Sequence, residues 1–468
     1  MVRIFSQYVS IRSLLLVVTE SLLIVLSLLL AVRLRFWNSP YELELYLSLP
    51  EFAMKTALVL AVCQICFYCN DVYDLTSGSG SLERILRLGE ALGAASLLLG
   101  FLYFLAPDLL LGRGVILIGM SLVTAFAILG RRVLDRIWQF RSPAQRVIVL
   151  GTGDMALEVA RELKRRDDLG MHLAGFISSS PSDPKQESLY GFPVLGFAAD
   201  LESIARTAKA SRIIVAFEDR RNVLPTRELV TLRVRGMRVD EASTLLSSLT
   251  GRIPLKSVSP SWFVFTDGFR RSRVTELLKR VLDLVVSTIG LVLALPLMAI
   301  TALAIRLDSK GPALYRQTRV GRMGRTFEVL KFRSMRADAE QNGVAQWAQK
   351  DDTRTTRLGK FLRKYRVDEL PQFINVIRGE MSFVGPRPER PTFVDDLREK
   401  VPYYDERHSV RPGITGWAQV QYSYGASIED AYRKLEYDLF YLKNMSLTFD
   451  LAIILKTVRI VTTGFGGR

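Results

Sequence analysis

The chain has 468 residues, 49% hydrophobic and 24% charged, with 63 Lys and Arg against 47 Asp and Glu for a formal charge of +16. That length leaves room for more than one domain, while only three cysteines and two histidines argue against a disulfide framework. On a chain with this many apolar runs, the basic excess reads as positive-inside flanking and attraction to anionic lipid, not as a nucleic-acid surface.

The first four hydrophobic runs fall at residues 14–32, 52–68, 85–106 and 115–129. Each is near the ~20 residues that cross a hydrocarbon core. No small-residue cleavage site follows the first, so it is expected to remain as an anchor. Cys63, Cys66 and Cys69 recur every third residue inside the second run with no histidine nearby, which suits helix packing better than a zinc site. The last run exits onto Arg131, Arg132, Arg136, Arg141 and Arg146, a basic flank expected on the cytoplasmic side. Counting back through four crossings puts Arg3 and Arg12 on that same side. Residues 1–141 are therefore predicted to be a four-helix transmembrane bundle.

Residues 142–268 change character. A β-rich run at 147–150 meets Gly151-Thr152-Gly153-Asp154-Met155-Ala156, and a helical pattern follows to about residue 166. Strand, glycine turn and helix open a dinucleotide-type βαβ unit, in which backbone N–H groups can face a pyrophosphate. Further strands are predicted at 173–177 and 212–215. An acid for a ribose is expected about 20 residues on, but Ser178, Ser179 and Ser180 stand there. The expectation is a parallel-sheet, Rossmann-like domain with a structural or regulatory role, nucleotide binding staying open.

Residues 269–468 open on a fifth apolar run, 281–305, with Lys279 and Arg280 before it and Arg306, Lys310, Arg316 and Arg319 after it. Both flanks favour the cytoplasmic face. Pro296 removes a backbone donor mid-run and can kink or break the helix. A re-entrant hairpin that enters and leaves on one face reconciles these facts; an ordinary spanning helix is the alternative.

Beyond it the chain is polar and dense in motifs. These are Tyr315-Arg316-Gln317-Thr318-Arg319-Val320-Gly321-Arg322, Lys331-Phe332-Arg333-Ser334-Met335, Val367-Asp368-Glu369-Leu370-Pro371-Gln372, Gly385-Pro386-Arg387-Pro388-Glu389-Arg390-Pro391, Arg411-Pro412-Gly413-Ile414-Thr415-Gly416-Trp417 and Tyr437-Asp438-Leu439-Phe440-Tyr441. Dispersed Arg and Lys suit a diphosphate. Pro371 suits the start of a helix, which would hold Asp368 and Glu369 at its N-terminal end, where anions and phosphates are favoured. One carboxylate could attack phosphorus, and either or both could hold Mg²⁺ with substrate phosphate oxygens. A solvated helix start is the bland reading of an isolated Asp-Glu pair.

Together and in this order the motifs resemble the bacterial sugar transferase family, the polyprenyl-phosphate sugar-1-phosphate transferases, over residues 274–468. The upstream bundle and Rossmann-like domain resemble its larger members, from exopolysaccharide and O-antigen initiation. The resemblance implies a mostly helical, monotopic catalytic domain in the bacterial inner membrane, facing the cytoplasm. It implies a UDP-sugar donor, an undecaprenyl phosphate acceptor, Mg²⁺ and release of UMP. Asp368 matches the nucleophile that carries the sugar phosphate covalently, and Glu369 its partner in the dyad. Lys331, Arg333, Arg387 and Arg411 match positions assigned to phosphate or nucleotide binding, and Asp438 matches another acid of the family. The family often has Pro-Pro or Ser-Pro at the hairpin break, where this chain has Leu295-Pro296. A homodimer is left open.

Physical pattern adds a membrane-surface expectation. Leu358, Phe361, Leu362 and Tyr365 form an apolar stripe opposite Lys360, Arg363 and Lys364, as in a basic interfacial helix leading into Asp368; a helix packed on a soluble core is the alternative. Residues 447–458 are a second interfacial candidate. Rival classes lack their residues. A nucleotide-sugar dehydratase needs a Tyr four residues before a Lys, a metal-dependent glycosyltransferase an Asp-x-Asp, and neither occurs. The dehydratase would also leave the third region unexplained, and a non-enzymatic membrane sensor whose Rossmann unit binds a nucleotide would keep its function on substitution of Asp368, where a transferase would not.

Overall fold

The computed structural model describes residues 2–4, 7–48, 50–73, 81–141, 145–178, 188–217, 224–257, 263–264, 266, 268–269, 272–336, 354–422, 425 and 427–463. Ser179 and Ser180 lie outside them. The chain divides into two compact units, Met1–Leu249 and Thr250–Arg468.

The first unit starts with a hairpin of β1 (Val2–Ile4) and β2 (Gln7–Val9), followed by α1 (Ile11–Arg35), α2 (Pro40–Ser48), α3 (Pro50–Cys69), α4 (Ser81–Leu105) and α5 (Arg113–Arg141). All but α2 are long and apolar enough to cross a membrane. Their inner faces share one core, in which Ile24 and Leu28 meet Val59, Phe67, Leu88, Leu99 and Val123, with Cys63 and Cys66 as small packing residues. Glycines let α5 approach α1: a Cβ on Gly119 would come within 2.9 Å of Leu28, and one on Gly130 within 2.9 Å of Leu23. Outward faces carry large apolar side chains, with Leu97 79% and Phe104 82% exposed. Water does not tolerate such a surface, and lipid does. This is a membrane protein.

An α/β domain follows, with β3 (Gln145–Leu150), α6 (Asp154–Arg165), β4 (Met171–Ser178), β5 (Ser188–Leu189), β6 (Phe192–Phe197), α7 (Leu201–Thr207), β7 (Arg212–Val215), α8 (Thr226–Val234), β8 (Arg238–Glu241) and α9 (Ala242–Thr250). The sheet order is β5-β6-β4-β3-β7-β8, parallel throughout except for β5 on the edge. A first strand in the centre with later ones laid outward on both sides is the doubly wound arrangement expected from the glycine turn. Alternation along β3 feeds two cores: Val147 and Val149 face Val159 and Leu245, while Ile148 and Leu150 face Leu201 and Leu229. Gly151 takes φ +121°, and a Cβ there would lie 3.0 Å from the Ala216 carbonyl oxygen. The N-terminal hairpin docks on this domain. Arg212, fully buried, donates to the Tyr8 hydroxyl at 3.1 Å, and Arg166 donates to the Tyr8 carbonyl at 3.2 Å.

The second unit takes in residues 250–257, ahead of the expected boundary at 269. Gly251 accepts from the Trp417 indole at 2.7 Å, and Arg252 pairs with Glu436 at 2.5 Å. Its longest helix is α10 (Arg273–Asp308), 36 residues with Pro296 inside and Ser272 capping the start. The other elements are β9 (Leu314–Val320), β10 (Thr326–Phe332), α11 (Arg357–Lys364), α12 (Gln372–Arg378), β11 (Ser382–Val384), α13 (Pro391–Lys400), β12 (Gly413–Thr415), α14 (Trp417–Gln421), α15 (Ile428–Asn444) and α16 (Leu447–Thr463). Strands β9 and β10 form an antiparallel hairpin, and β11 runs parallel to β12.

Both ends of α10 are tied to this unit. Near its start Lys279 reaches Asp450 at 2.7 Å, and Asp283 accepts from the Ser382 hydroxyl at 2.9 Å and the Phe383 N–H at 3.0 Å. Near its end Ile305 packs with Phe332, Leu362 and Val367. Between them one face still packs, with Ser287 and Thr301 buried and Gly290 against Phe373, but residues 288–300 include no buried side chain and Leu293 is 76% exposed.

Candidate active site

The dyad sits in a 3₁₀ turn, Val367–Glu369, directly before α12. Arg366 ahead of it adopts a left-handed φ of 54°, which a branched-free but bulky residue accepts only under local constraint. That turn aims both carboxylates inward, each 8% exposed. Asn375 fixes the height of α12 against the β-hairpin: its side chain accepts from the Leu330 N–H at 3.0 Å and donates to the Glu328 carbonyl at 2.7 Å. Along β10, Val329 and Lys331 are two apart and share the face turned to the dyad.

The result is a cleft of about 260 Å³ lined by Arg319, Val329, Lys331, Glu369, Gln372, Arg387, Pro388, Gly413 and Ile414. Glu369 is held by cations. Arg387 Nη2 donates to its Oε1 at 2.8 Å, Lys331 Nζ lies 3.8 Å from the same oxygen, and Arg366 Nη1 is 3.6 Å from Oε2. Burial pushes the Glu369 carboxyl up, but Arg387, Lys331 and Arg366 outweigh it and hold the group well below the usual carboxylate range. Asp368 moves the other way. Burial first and the Glu369 charge second raise it, against the pull of Lys331, Arg363 and Arg387. Burial lowers the Lys331 ammonium to about 8, partly offset by Glu369. Among the described residues none donates a hydrogen bond to Asp368. Two adjacent acids thus differ in character: Glu369 lines the cleft and is clamped by cations, while Asp368 is buried beside it with no donor among the described residues.

Of the residues singled out in the sequence, Asp368, Glu369, Lys331 and Arg387 are brought together. Three others are not in this cleft. Arg333 turns away, giving Nη1 to the Lys310 carbonyl at 2.8 Å and Nη2 to the Ser309 carbonyl at 2.7 Å, so it caps the C-terminal end of α10. Arg411 gives Nε to the Gly379 carbonyl at 3.0 Å, beyond the far end of α12. Asp438 is buried against Arg407, whose Nη2 also donates to the Arg387 carbonyl at 3.0 Å. It touches the cleft only through that chain of contacts.

The expected interfacial helix also differs. In α11, Leu362 is buried in the core beside Ile305 and Phe332, with Leu358 and Tyr365 packed against them. Only Phe361 of the stripe is exposed. In α16, Phe449, Asp450 and Ile453 face inward, and Asp450 is engaged by Lys279 and Tyr441. Three contributors escaped sequence reasoning, Arg366, Asn375 and Arg407, while Arg319 and Gln372, which line the cleft, stood in motifs without an assigned role. Asn375 had a signal, a lone amide in the apolar run of Phe373, Val376 and Ile377. Arg407 had none, since its role depends on partners 20 and 31 residues away.

Comparison with known proteins bears on the whole chain. The family description "bacterial sugar transferase" matches residues 274–464, and a relative from Klebsiella pneumoniae, a UDP-glucose:undecaprenyl-phosphate glucose-1-phosphate transferase, is 31% identical over 87% of this chain and 88% of its own. The chain belongs to the bacterial sugar transferase family. The Xanthomonas campestris UDP-glucose:undecaprenyl-phosphate glucose-1-phosphate transferase is 29% identical over 98% of this chain and 96% of its own. A UDP-N-acetylgalactosamine-undecaprenyl-phosphate N-acetylgalactosaminephosphotransferase from Aeromonas hydrophila is 46% identical over 47% of this chain, spanning 51% of its own length. A second description, "CoA-binding domain", matches residues 69–223, which take in α4, α5 and part of the parallel sheet. This sugar transferase is an enzyme whose dyad lies within the transferase match.

Proposed function

We propose that this transferase moves a hexose-1-phosphate from a UDP-hexose to undecaprenyl phosphate, releasing UMP, through a phosphosugar joined to Asp368 as an acyl phosphate. The observation that carries the reading is the asymmetry of the dyad: Glu369 is neutralised by three cations, and Asp368 is buried beside them without a hydrogen-bond donor among the described residues. A carboxylate that is poorly solvated is a better nucleophile than one tied into ion pairs. An Asp368 oxygen attacks the sugar-linked phosphorus, the phosphoanhydride bond breaks, and UMP leaves with the electron pair. A phosphate oxygen of the acceptor then attacks the same phosphorus, which breaks the aspartyl acyl-phosphate bond, forms the lipid diphosphate and restores the carboxylate. Lys331 and Arg387 line the diphosphate's path, and Arg387 keeps Glu369 ionised.

Mg²⁺ fits this pair. Mg²⁺ takes one or two carboxylates and completes its shell with substrate phosphate oxygens. Asp368 has oxygens that no described side chain engages, while Glu369, facing three cations, is the weaker ligand. When bound, the ion would supply charge neutralisation to the transferring phosphoryl group.

Four spans upstream and a re-entrant α10 complete the proposal, with the catalytic unit on the cytoplasmic face of the inner membrane. An even number of crossings is supported by Tyr8, three residues before α1, docking on the same α/β domain that begins four residues after α5. The re-entrant reading is supported by the packed ends, exposed apolar middle and internal Pro296 of α10. Intact-mass analysis after incubation with Mg²⁺ and UDP-hexose, without acceptor, tests the chemistry. A hexose-phosphate adduct is expected on the wild type and not on Asp368→Asn. Absence of the adduct with every UDP-hexose, or release of UDP in place of UMP on adding acceptor, would overturn it.

A further inference from the structure

At the end of α12 remote from the dyad lies a second cleft of about 360 Å³, lined among others by Glu276, Lys279, Arg280, Asp283, Arg322 and Arg411. Its charges are unequally matched. Lys279 is paired with Asp450 at 2.7 Å, Arg322 with Glu276 at 3.5 Å, and Asp283 accepts from Ser382 and Phe383. Arg280 and Arg411 form no ion pair among the described residues. Arg280 gives its two terminal nitrogens to the Val376 and Ile377 carbonyls at 2.7 and 2.9 Å, and Arg411 gives only Nε, to Gly379. Burial lowers the Arg411 guanidinium, and Arg280 and Arg322 lower it further. Three guanidiniums therefore converge on one opening. An anion there would relieve their mutual repulsion and meet the forks of Arg411 and Arg322, which suit phosphate, while Arg280, whose terminal nitrogens are given to carbonyls, adds charge alone.

The same turns of α10 say where such an anion comes from. Val274, Leu277, Leu278, Val281 and Val285 follow helical spacing on the face opposite Glu276, Lys279, Arg280 and Asp283, and all five are exposed. An apolar stripe backed by a cationic cleft is how a helix lies at head-group height. We propose that this cleft binds the phosphate of an anionic glycerophospholipid, seating the first turns of α10 at the bilayer surface. The inference rests on α10 entering the membrane. It is a site apart from the acceptor's, because the seven residues of α12 set it about 10 Å from the dyad.

The test uses the full chain in phosphatidylcholine nanodiscs doped with photoreactive phosphatidylglycerol or, at equal mole fraction, photoreactive phosphatidylcholine, with adducts mapped by peptide mass. Phosphatidylglycerol is expected to label residues 273–283 and the Arg411 segment in preference. Arg322→Gln and Arg411→Gln are each expected to cut that labelling about fivefold, the share of one surface arginine, and to leave phosphatidylcholine labelling unchanged. Arg322 is exposed, so Arg322→Gln serves should Arg411→Gln fail to fold. Equal labelling by both lipids overturns the site. So does suppression by inorganic phosphate, which makes it a free-anion site, or by undecaprenyl phosphate, which makes it the acceptor's. A quenchable fluorophore on Leu293→Cys separates the two readings. A label open to aqueous quencher sinks membrane entry of α10, and a shielded label without phosphatidylglycerol preference sinks only the lipid site.

Discussion

Asp438→Leu should destabilise the second unit strongly, and Arg407→Met combined with it should restore most of the loss. Asp438 is 1% exposed and Arg407 5%. Arg407 Nε and Nη2 both reach Asp438 Oδ2, at 3.0 and 2.8 Å, while Nη1 donates to the Tyr404 hydroxyl at 2.8 Å. Removing the carboxylate leaves a guanidinium buried without its counter-charge, which costs about 3–5 kcal/mol. For a unit of this size that is a fall of roughly 6–20 °C in thermal midpoint. Replacing both partners by apolar side chains of similar volume removes the uncompensated charge, so the double variant should lie within about 1–2 kcal/mol of wild type.

Activity should not follow stability. Arg407 Nη2 holds the Arg387 carbonyl at 3.0 Å, and Arg387 in turn clamps Glu369. The double variant keeps the fold without that anchor, so its kcat should stay depressed with little change in donor KM. Thermal scans at one fixed rate in detergent, with steady-state kinetics on the same samples, read both quantities. Additive losses of midpoint would refute the buried-pair reasoning. A donor KM raised in Asp438→Asn at unchanged kcat would refute the positioning role and make the acid a substrate contact.

The pH profile of kcat/KM should be bell-shaped, since the proposed mechanism needs Asp368 ionised and Lys331 charged. The acid limb should fall as pH drops through the raised Asp368 value, about 6, and the basic limb as pH rises through the Lys331 value, about 8. Lys331→Met should remove the basic limb and lower kcat/KM about 10- to 100-fold, the worth of one charged hydrogen bond; a basic limb that survives in Lys331→Met counts against the assignment. Arg333→Lys should lower the thermal midpoint and leave donor KM unchanged, because its contacts are the last carbonyls of α10 and not a ligand; a raised KM would return it to the substrate. Gly359→Ala should cost about 1–3 kcal/mol by overpacking, since its Cβ would clash with the Ser334 carbonyl oxygen, and a midpoint equal to wild type would show that α11 can shift freely.

The helices and the parallel sheet were legible because each rests on local periodicity. Apolar runs of near-spanning length became α1, α3, α4 and α5, and a glycine turn between a β-rich run and an amphipathic helix became the β3–α6 crossing. The docking of Tyr8 on Arg212 was not legible, as it joins residues 204 positions apart and leaves no periodic trace. The interfacial helix was misread for a related reason. A basic amphipathic stripe specifies that something apolar covers one face, and in α11 that cover is Ile305 and Phe332 from distant elements.

The same distinction runs through the site. Residue type shows what chemistry a side chain can do, and partners decide whether it does it. Four basic residues in motif positions look alike in the sequence, yet Lys331 and Arg387 face a carboxylate and Arg333 and Arg411 face carbonyls, while Arg407, outside every motif, holds the chain that carries Arg387. Desolvation makes these outcomes exclusive: a guanidinium already giving its nitrogens to buried carbonyls would leave them unpaired by turning to a phosphate, at about 1–3 kcal/mol for each buried group left unpaired. Arg333, with both terminal nitrogens engaged, is therefore bound to the fold. Arg411, with only Nε engaged among the described residues, keeps its two terminal nitrogens for the proposed lipid phosphate.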